Sequence, residues 1–447
     1  MAAPLEPGSV SVDDRPARPL DVAALPPLSA FGFTGGRDSF HAFCAKAFAP
    51  GAPRFFRTED NELVVYRHAD LRAFGALMEV ANVPPAVLFP AAFPEGAGEP
   101  RCPRHSLAGV ISNQVFTANP PIHAPIRRLL LNQFGPRPTQ QREAIARRIV
   151  EAIFAALPQE GEIDLVTEVA EPLTARFWGE FIGMNEDETR AVAVSVRAMT
   201  PLLFIERSAE QLKQVDAAFA AYSRIIEGAA ERSLKAGDHP ALAEMQAELA
   251  GLDYEDDPAH AGLVPKTLGA LLAGNLFDGF HTAAVGAVNA VHGVLANPAA
   301  LADLRRDPAQ ANAAVAEALR LEPPVLMLRR QLSADIDYDG HRLAKGQIVA
   351  MMWAAGDHDP EVFADPDRFD AGRPHQGLTT FGGGAHICPG RFVAAMLARV
   401  LLEVMLARGI ALEPVPDAEG LGGEWIPNHL MAQRSHLHLR ISQPMTV

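Results

Sequence analysis

The stretch from Leu263 to Leu295 constrains the fold of this chain more than any other. It has helical periodicity, is apolar on nearly every face and is rich in alanine and glycine. A helix of this kind is stable in water only when neighbours cover it on all sides, so it belongs inside a domain. Asn297 and Pro298 follow it, and proline ends a helix because it lacks the backbone N–H donor. We therefore predict a long helix through the centre of a large domain.

Helical periodicity dominates the rest of the chain, whereas strand signals are short and scattered. No break in composition and no internal repeat divides it, so residues 25–447 are predicted to form one domain after a flexible segment, residues 1–24. The stretch from Val80 to Pro121 is dense in proline and glycine, which is typical of a lid or a mobile segment. The predicted fold class is mainly α with small peripheral β-sheets. The clearest helices are Gln140–Leu157, Asp164–Gly183 and Gln214–Leu234, and the clearest strands are Glu62–Tyr66, Gln347–Met351 and Ser435–Ile441.

Charge and cysteine content argue against several classes of function. With 39 basic and 54 acidic residues the net charge is −15, which disfavours nucleic-acid binding. The three cysteines contain no C-x-x-C pair, so we expect neither a disulfide framework nor a zinc ribbon, and we expect a reducing compartment such as the cytoplasm. Arg399 and Glu403 interrupt Phe392–Ala407, the longest candidate for a membrane span, so no membrane segment is expected.

Cys388 lies in a glycine-rich loop, residues 381–394, directly before an apolar helical pattern. Backbone N–H groups in a tight loop and at a helix N-terminus stabilise a thiolate, which is the form of cysteine that binds metals. Gly382, Gly383 and Gly384 can adopt backbone conformations closed to other residues and let a flat ligand approach. A lone cysteine is also often an inert buried residue, and glycine triplets occur in phosphate loops, but no Gly-Lys-Ser/Thr follows this one.

The loop fits the pattern F-x-x-G-x-H-x-C-x-G and resembles the haem-binding loop of the cytochrome P450 family. The resemblance covers nearly the whole chain from about Glu62. It implies the helical cytochrome P450 fold and a haem b whose iron is bound by the thiolate of Cys388. The lack of a membrane segment points to the soluble bacterial type. The matching positions are Phe381, Gly384, His386, Cys388 and Gly390.

The resemblance also implies ligands for the two haem propionates, whose buried charges need partners. Asn119-Pro-Pro-Ile-His123, followed by Arg127, resembles the family's helix whose His and Arg reach the propionates. His123 and Arg127 are therefore implied ligands. Arg329 matches another propionate arginine, and His386 matches a fourth ligand.

Glu317 and Arg320 form an acid–base pair on one face of a predicted helix. They match the family's E-x-x-R motif, and Arg368 in Asp365-Pro-Asp-Arg-Phe369 matches the third member of a buried triad. Losing one partner of a buried ion pair costs about 3–5 kcal/mol. We expect these three residues to fix the core behind the cysteine loop and to have no catalytic role.

The central helix carries Asp278-Gly-Phe-His-Thr282, which resembles the family's [A/G]-G-x-[D/E]-T oxygen-activation motif. The resemblance implies that Gly279 leaves room for dioxygen. It also implies that the Thr282 hydroxyl hydrogen-bonds the bound oxygen and passes protons to it, a general-acid role. A threonine in the middle of a helix often bonds back to a carbonyl instead, so the motif and not the residue type carries this expectation.

Two positions depart from this motif. Asp278 stands where the family has a small residue, and His281 stands where it has an acid. Asp278 and Thr282 are four residues apart and share a helix face. Three interpretations stay open: proton delivery through Asp278 or His281, binding of a polar or cationic substrate group by Asp278, or use of peroxide or another oxidant.

The implied function is monooxygenation, in which one atom of O2 enters a small organic substrate and the other leaves as water. Electrons would come from NAD(P)H through a separate ferredoxin reductase and a ferredoxin, because the sequence shows no flavin or iron–sulfur segment. Arg127, Arg128 and Arg391 suit an acidic redox partner, and we expect a monomer. The alternatives are peroxide- or nitric-oxide-dependent chemistry on the same scaffold, a non-catalytic haem sensor, and a thiol hydrolase that uses Cys388.

The substrate pocket that the resemblance implies is mostly apolar, which favours a hydrophobic small molecule. Terpene, fatty-acid, aromatic-acid and natural-product scaffolds all stay open. His436 and His438 alternate on a predicted strand, and we interpret them as polar-face residues because no third metal ligand lies nearby in sequence. The implied lining segments are residues 80–116, 195–215, 275–278, 325–328 and 428–431.

Overall fold

A computed structural model describes residues 17–88, 106–203, 208–252, 265–415, 425–426 and 428–444. Parts of two predicted pocket segments, residues 89–105 and 204–207, lie outside the described residues. Residues 17–24 of the predicted flexible segment are described, and Arg18–Pro19 pairs with the strand at residues 341–343. This part of the segment is therefore attached to a sheet, whereas residues 1–16 lie outside the description.

The fold is mainly helical. The helices are α1 (Arg37–Ala47), α2 (His68–Ala76), α3 (Pro85–Leu88), α4 (Ser106–Ser112), α5 (His123–Phe134), α6 (Pro136–Gln141), α7 (Glu143–Ala156), α8 (Glu171–Ile182), α9 (Glu186–Met199), α10 (Ala209–Ala236), α11 (Pro240–Ala250), α12 (Leu268–Leu295), α13 (Pro298–Arg306), α14 (Ala311–Leu321), α15 (Trp353–Gly356) and α16 (Arg391–Ala407).

The strands form three small sheets at the periphery, so the predicted fold class is confirmed. One sheet has the order β2-β3-β9-β6-β4, a second β1-β8-β7 and a third β10-β11-β5. The strands are β1 (Arg18–Pro19), β2 (Phe56–Arg57), β3 (Leu63–Val65), β4 (Val80–Asn82), β5 (Glu160–Asp164), β6 (Leu328–Leu332), β7 (Ile336–Tyr338), β8 (His341–Leu343), β9 (Ile348–Met351), β10 (Ala411–Pro414) and β11 (His438–Ser442).

Helix α12 runs through the main hydrophobic core, as its composition predicts. It packs against α8, α10, α14 and α16, and most of its residues are buried. The hydroxyl of Thr267 caps its N-terminus by accepting a hydrogen bond from the backbone N–H of Ala270 at 3.1 Å. Among the described residues, no single helix is long and apolar enough to cross a membrane. Helices α12 and α13 taken together have the required length and apolar composition, but a bend of 96° separates them.

Several predicted elements have different boundaries in the structure, and α12, for example, begins at Leu268 and not at residue 263. Residues 140–157 form two helices, α6 and α7, that meet at Arg142. Asp164 ends strand β5 and is followed by a π-helical turn, Leu165–Ala170, before α8 begins. The side chain of Asp164 accepts a hydrogen bond from the N–H of Val166, so it caps that turn instead of continuing a helix. The last predicted strand begins at His438, not at residue 435.

Candidate active site

The loop that carries Cys388 folds back on itself just before α16. The backbone N–H of Cys388 donates to the carbonyl oxygen of Phe381 at 2.9 Å, which closes the loop. Gly382 and Gly384 have φ angles of +76° and +63°, which side chains rarely allow. A Cβ atom on Gly384 would lie 1.7 Å from the carbonyl oxygen of Gly75 in α2. Glycine at residue 384 is therefore required for the loop to pack against α2.

The sulfur of Cys388 lies in a mixed electrostatic environment. Burial raises the pKa of the Cys388 thiol and the Asp278 carboxyl raises it further, whereas the N–H of Gly390 and the guanidiniums of Arg391 and Arg127 lower it. Both arginines also hold the loop, since Arg391 donates to the carbonyl of Cys388 at 2.9 Å and Arg127 donates to the carbonyl of Ile387. A metal cation at the sulfur would favour the thiolate outright, because a coordinating thiol loses its proton.

Two histidines from distant parts of the chain meet beside this loop. The Nδ1 atom of His386 lies 3.1 Å from Nε2 of His123, the first residue of α5. Burial and the neighbouring arginines lower the pKa of His386 to about 3 and that of His123 to about 4. Both rings are therefore neutral at pH 7, and because one ring donates its only N–H to the other, the accepting ring keeps its own N–H for an anion.

The arginine that joins this cluster is Arg330, which corrects the predicted Arg329. The Arg329 guanidinium points to the other face of β6, where its Nε donates to the Glu62 carboxylate at 3.0 Å. Arg330 is only 4% exposed, and it donates to the carbonyl of Arg329 at 2.8 Å. Alternation of side chains along β6 separates the two residues.

Arg330 is a buried cation whose charge no acid compensates among the described residues. Burial lowers its pKa to about 10, and no carboxylate pairs with it in the part of the chain that the structure describes. A buried charge without a partner is costly, so this guanidinium calls for an anionic ligand. His123, Arg127, Arg330 and His386 together make a site suited to the two carboxylates of a haem, next to a cysteine suited to its iron.

The segment of α12 on the other side of the site places Asp278 and Thr282 on one face. The Thr282 hydroxyl donates to the backbone carbonyl of Asp278 at 2.6 Å. The Asp278 carboxylate accepts a 3.3 Å hydrogen bond from the side-chain amide of Gln114. Burial raises the pKa of Asp278 to about 7, so this carboxyl is close to half protonated at neutral pH.

His281 faces a different environment from Asp278. Its Nε2 lies 2.7 Å from the side-chain oxygen of Gln433, and burial lowers its pKa, so the neutral ring donates this hydrogen bond. The ring lines a cavity of about 240 Å³ behind α12, together with the Glu171–Arg197 ion pair. Neither Asp278 nor Thr282 lines that cavity.

Gly279, which is predicted to leave room for dioxygen, contacts α8 in the structure. A Cβ atom at this position would lie 3.2–3.3 Å from the indole ring of Trp178. The indole N–H donates to the carbonyl oxygen of Gly279 at 3.0 Å. The missing side chain therefore lets α8 and α12 approach each other.

The predicted E-x-x-R pair is present, but its third member is Arg373 and not Arg368. Glu317 and Arg320 are fully buried, and two guanidinium N–H groups of Arg320 donate to the Glu317 carboxylate at 2.8 and 2.9 Å. Arg373 Nε donates to the same carboxylate at 3.3 Å. The Arg368 side chain is 63% exposed and pairs with Asp370, so it contributes only its backbone carbonyl, which accepts from Arg320.

Comparison with known proteins agrees with this geometry. The family model described as Cytochrome P450 matches residues 193–409. Cytochrome P450 BJ-3 of Bradyrhizobium diazoefficiens is 30% identical over 371 residues, which cover 79% of this chain and 82% of that protein. Cytochrome P450 107B1 of Saccharopolyspora erythraea is 30% identical over 305 residues, 68% of this chain and 70% of that one. This chain belongs to the cytochrome P450 family.

A solved structure has the same fold as this chain. The crystal structure of CalO2 matches with a TM-score of 0.77 at 24% identity and covers 91% of this chain and 96% of that chain. Members of the cytochrome P450 family are monooxygenases that bind haem b through a cysteine thiolate, and this chain is accordingly an oxidoreductase of that class. The uncompensated charge of Arg330 beside two neutral histidines, with a thiol nearby, agrees with that cofactor.

Proposed function

We propose that this cytochrome P450 inserts one oxygen atom from O2 into a small, largely hydrophobic molecule. Electrons come from NAD(P)H through a separate ferredoxin reductase and a ferredoxin. The observation that carries the proposal is the arrangement of Cys388 and Asp278, which lie close enough for the carboxyl to raise the pKa of the thiol. Cys388, the candidate metal ligand, and Asp278, a titratable acid, therefore lie on either side of one site.

Haem b supplies the redox chemistry of this reaction when it is bound. Cys388 is its thiolate ligand, and Phe381 and Gly390 shape the loop that presents the sulfur. His123, Arg127, Arg330 and His386 bind the propionates. Arg330 gains most from this contact, because its guanidinium has no other anion in the described structure.

Asp278 supplies a proton for the reaction, and Thr282 presents its hydroxyl oxygen as an acceptor on the same helix face. The Asp278 carboxyl has a pKa of about 7 and shares a helix face with Thr282, whereas His281 donates its proton to Gln433 and faces the cavity behind α12. The proton of Thr282 is held by the Asp278 carbonyl, so its oxygen is left to accept a hydrogen bond. Between the two departures from the family motif, Asp278 is thus the better proton donor.

Electron transfer takes place on the side of the molecule that carries the cysteine loop. Arg128 is exposed on α5, and Arg127 and Arg391 contact the backbone of the loop. These cations give this side a local positive charge despite the negative net charge of the chain. An acidic ferredoxin is the complementary partner.

A ligand panel followed by a reconstituted turnover assay tests the proposal. Chemically diverse hydrophobic compounds are titrated into the haem-loaded protein while the Soret band is recorded. Compounds that shift the band are then incubated with NAD(P)H, a ferredoxin reductase, a ferredoxin and O2. We expect oxygenated product in amounts that depend on all four components.

The matched control is Cys388→Ser, which keeps a small polar side chain but removes the thiolate. We expect the variant to lose the spectrum of a thiolate-bound ferrous carbon monoxide complex and to lose turnover. Product formation with hydrogen peroxide but not with O2 and reductant would contradict the proposed oxidant. Turnover by the wild type that does not require haem would favour a thiol hydrolase instead.

A further inference from the structure

A second cluster of metal-ligating side chains lies outside the haem site. It consists of His41 on α1, His358 just after α15, and Asp367 in the loop that follows. One ligand atom from each residue lies within 4.8 Å of the other two. The side chain of His358 is 1% exposed, whereas the Asp367 carboxyl is 74% exposed, so the cluster opens to solvent on one side.

The hydrogen-bond geometry of His358 favours a cation. Its Nε2 lies 3.3 Å from the carbonyl oxygen of Leu321, and its Nδ1 lies 3.1 Å from a carboxylate oxygen of Asp367. Both neighbours are acceptors, and a neutral imidazole has only one N–H. Either neutral tautomer therefore turns a nitrogen lone pair toward an oxygen. A doubly protonated ring or a metal ion between His358 and Asp367 removes this conflict.

His41 is oriented as a metal-bound histidine is. Its Nε2 lies 3.3 Å from the Glu322 carboxylate, and Arg37 holds that carboxylate with an Nε donor at 2.7 Å. A histidine that donates one ring N–H to a carboxylate keeps its other nitrogen for a metal. His358 has the equivalent outer contact to the Leu321 carbonyl, so both rings have fixed orientations.

We propose that His41, His358 and Asp367 bind a zinc ion, with water as the fourth ligand on the exposed side. Two nitrogens and one carboxylate oxygen are a common zinc donor set. Tetrahedral ligands about 2.0–2.1 Å from zinc lie roughly 3.3 Å apart, which is close to the distance from His358 to Asp367. The ion would join α1 to the segment that carries His358 and Asp367, which contacts the buried Glu317–Arg320 pair through the Asp357 carbonyl.

Zinc titration of the haem-loaded protein tests this site. The protein is first treated with a chelator and then titrated with zinc chloride in a calorimeter. His41→Gln and Asp367→Asn each remove one ligand at a partly or largely exposed position, so the fold should persist. The matched control is His436→Gln, because the rings of half-buried His436 and exposed His438 also lie with their centroids 4.7 Å apart.

We expect the wild type and His436→Gln to bind one zinc ion with the same affinity, and the two ligand variants to bind it at least 100-fold more weakly. Zinc should also raise the melting temperature of the wild type and of His436→Gln, but not that of the two ligand variants. Unchanged zinc affinity in His41→Gln and Asp367→Asn would overturn the proposal. The proposal would also be overturned if the wild type bound no zinc and His358 gave the 15N signal of an imidazolium. A doubly protonated ring would then donate to both the Asp367 carboxylate and the Leu321 carbonyl.

Discussion

The hydroxyl of Thr282 donates a 2.6 Å hydrogen bond to the backbone carbonyl of Asp278, one turn earlier on α12. This bond fixes the rotamer of Thr282 and leaves its oxygen as an acceptor. The carboxyl of Asp278 lies on the same helix face and holds the side-chain amide of Gln114. A hydroxyl oxygen and a titratable acid therefore lie on one face of α12.

Replacing Asp278 by Asn should change the pH dependence of stability. Burial raises the folded-state pKa of Asp278 from 3.8 to about 7. Between these values the folded chain keeps a proton that the unfolded chain releases, so the stabilising contribution of the protonated group is lost as pH rises from about 4 to about 7. Urea unfolding of the apoprotein should show this decline in the wild type and a flatter profile in Asp278→Asn.

Asp278→Asn should also lower the amount of product formed for each NAD(P)H consumed. If protonated Asp278 donates the proton, the ratio of product to NAD(P)H consumed should fall in the wild type as pH rises through 7. In Asp278→Asn the ratio should be low at every pH. His281→Gln is the control and should keep the wild-type profile, since His281 bonds to Gln433. Unchanged coupling and unchanged substrate affinity in Asp278→Asn would remove Asp278 from the mechanism.

Arg330→Leu should weaken haem binding, whereas Arg329→Leu should not. Arg330 is buried without an acidic partner among the described residues, but Arg329 is paired with Glu62. A hydrogen bond to a charged group contributes about 1.5–3 kcal/mol, so we expect haem affinity to fall roughly 10- to 100-fold in the first variant. The rate of haem transfer to a second apoprotein measures the effect. Equal transfer rates in the two variants would argue against Arg330 as a propionate ligand.

Arg373→Ala should destabilise the fold, and Arg368→Ala should have little effect. Arg373 donates to the fully buried Glu317 carboxylate, which keeps Arg320 as a second partner, so we expect a loss of about 2–3 kcal/mol. The side chain of Arg368 is mostly exposed, and its removal should change the free energy of unfolding by no more than about 0.5 kcal/mol. Urea denaturation compares the two, and the reverse order would restore Arg368 as the third member of the triad.

Gly279→Ala should strain the contact between α8 and α12. The added methyl would press on the indole of Trp178, and such overpacking costs about 1–3 kcal/mol. Combining it with Trp178→Phe should recover part of that loss in a double-mutant cycle, because the smaller ring leaves space. The ratio of product to NAD(P)H should stay unchanged. Lower coupling without lower stability would instead support a role in admitting dioxygen.

Prediction from sequence was most successful where one segment carries its own signal. The central position of α12 follows from apolar residues on all its faces, and the positive φ angles of Gly382 and Gly384 follow from the glycine-rich loop. Prediction from sequence was wrong in its choice between two neighbouring arginines. Arg329 and Arg330 both lie in the short strand β6, and a match in sequence does not show which of them faces inward. The burial pattern of β6 was the missing signal, since Arg330 and Leu332 are both buried there.

The sequence by itself determined the fold class, the long central helix and the cysteine loop, because periodicity, glycine content and motif spacing act within single segments of chain. Only the tertiary structure decided which side chains meet. The register of β6 against β9 places Arg329 opposite Ala350 and Arg330 opposite Val349, and this pairing directs Arg330 inward. The contacts of Arg373 with Glu317 and of Gly279 with Trp178 likewise join residues 56 and 101 positions apart. Such contacts depend on how distant elements pack, which no local pattern of residues encodes.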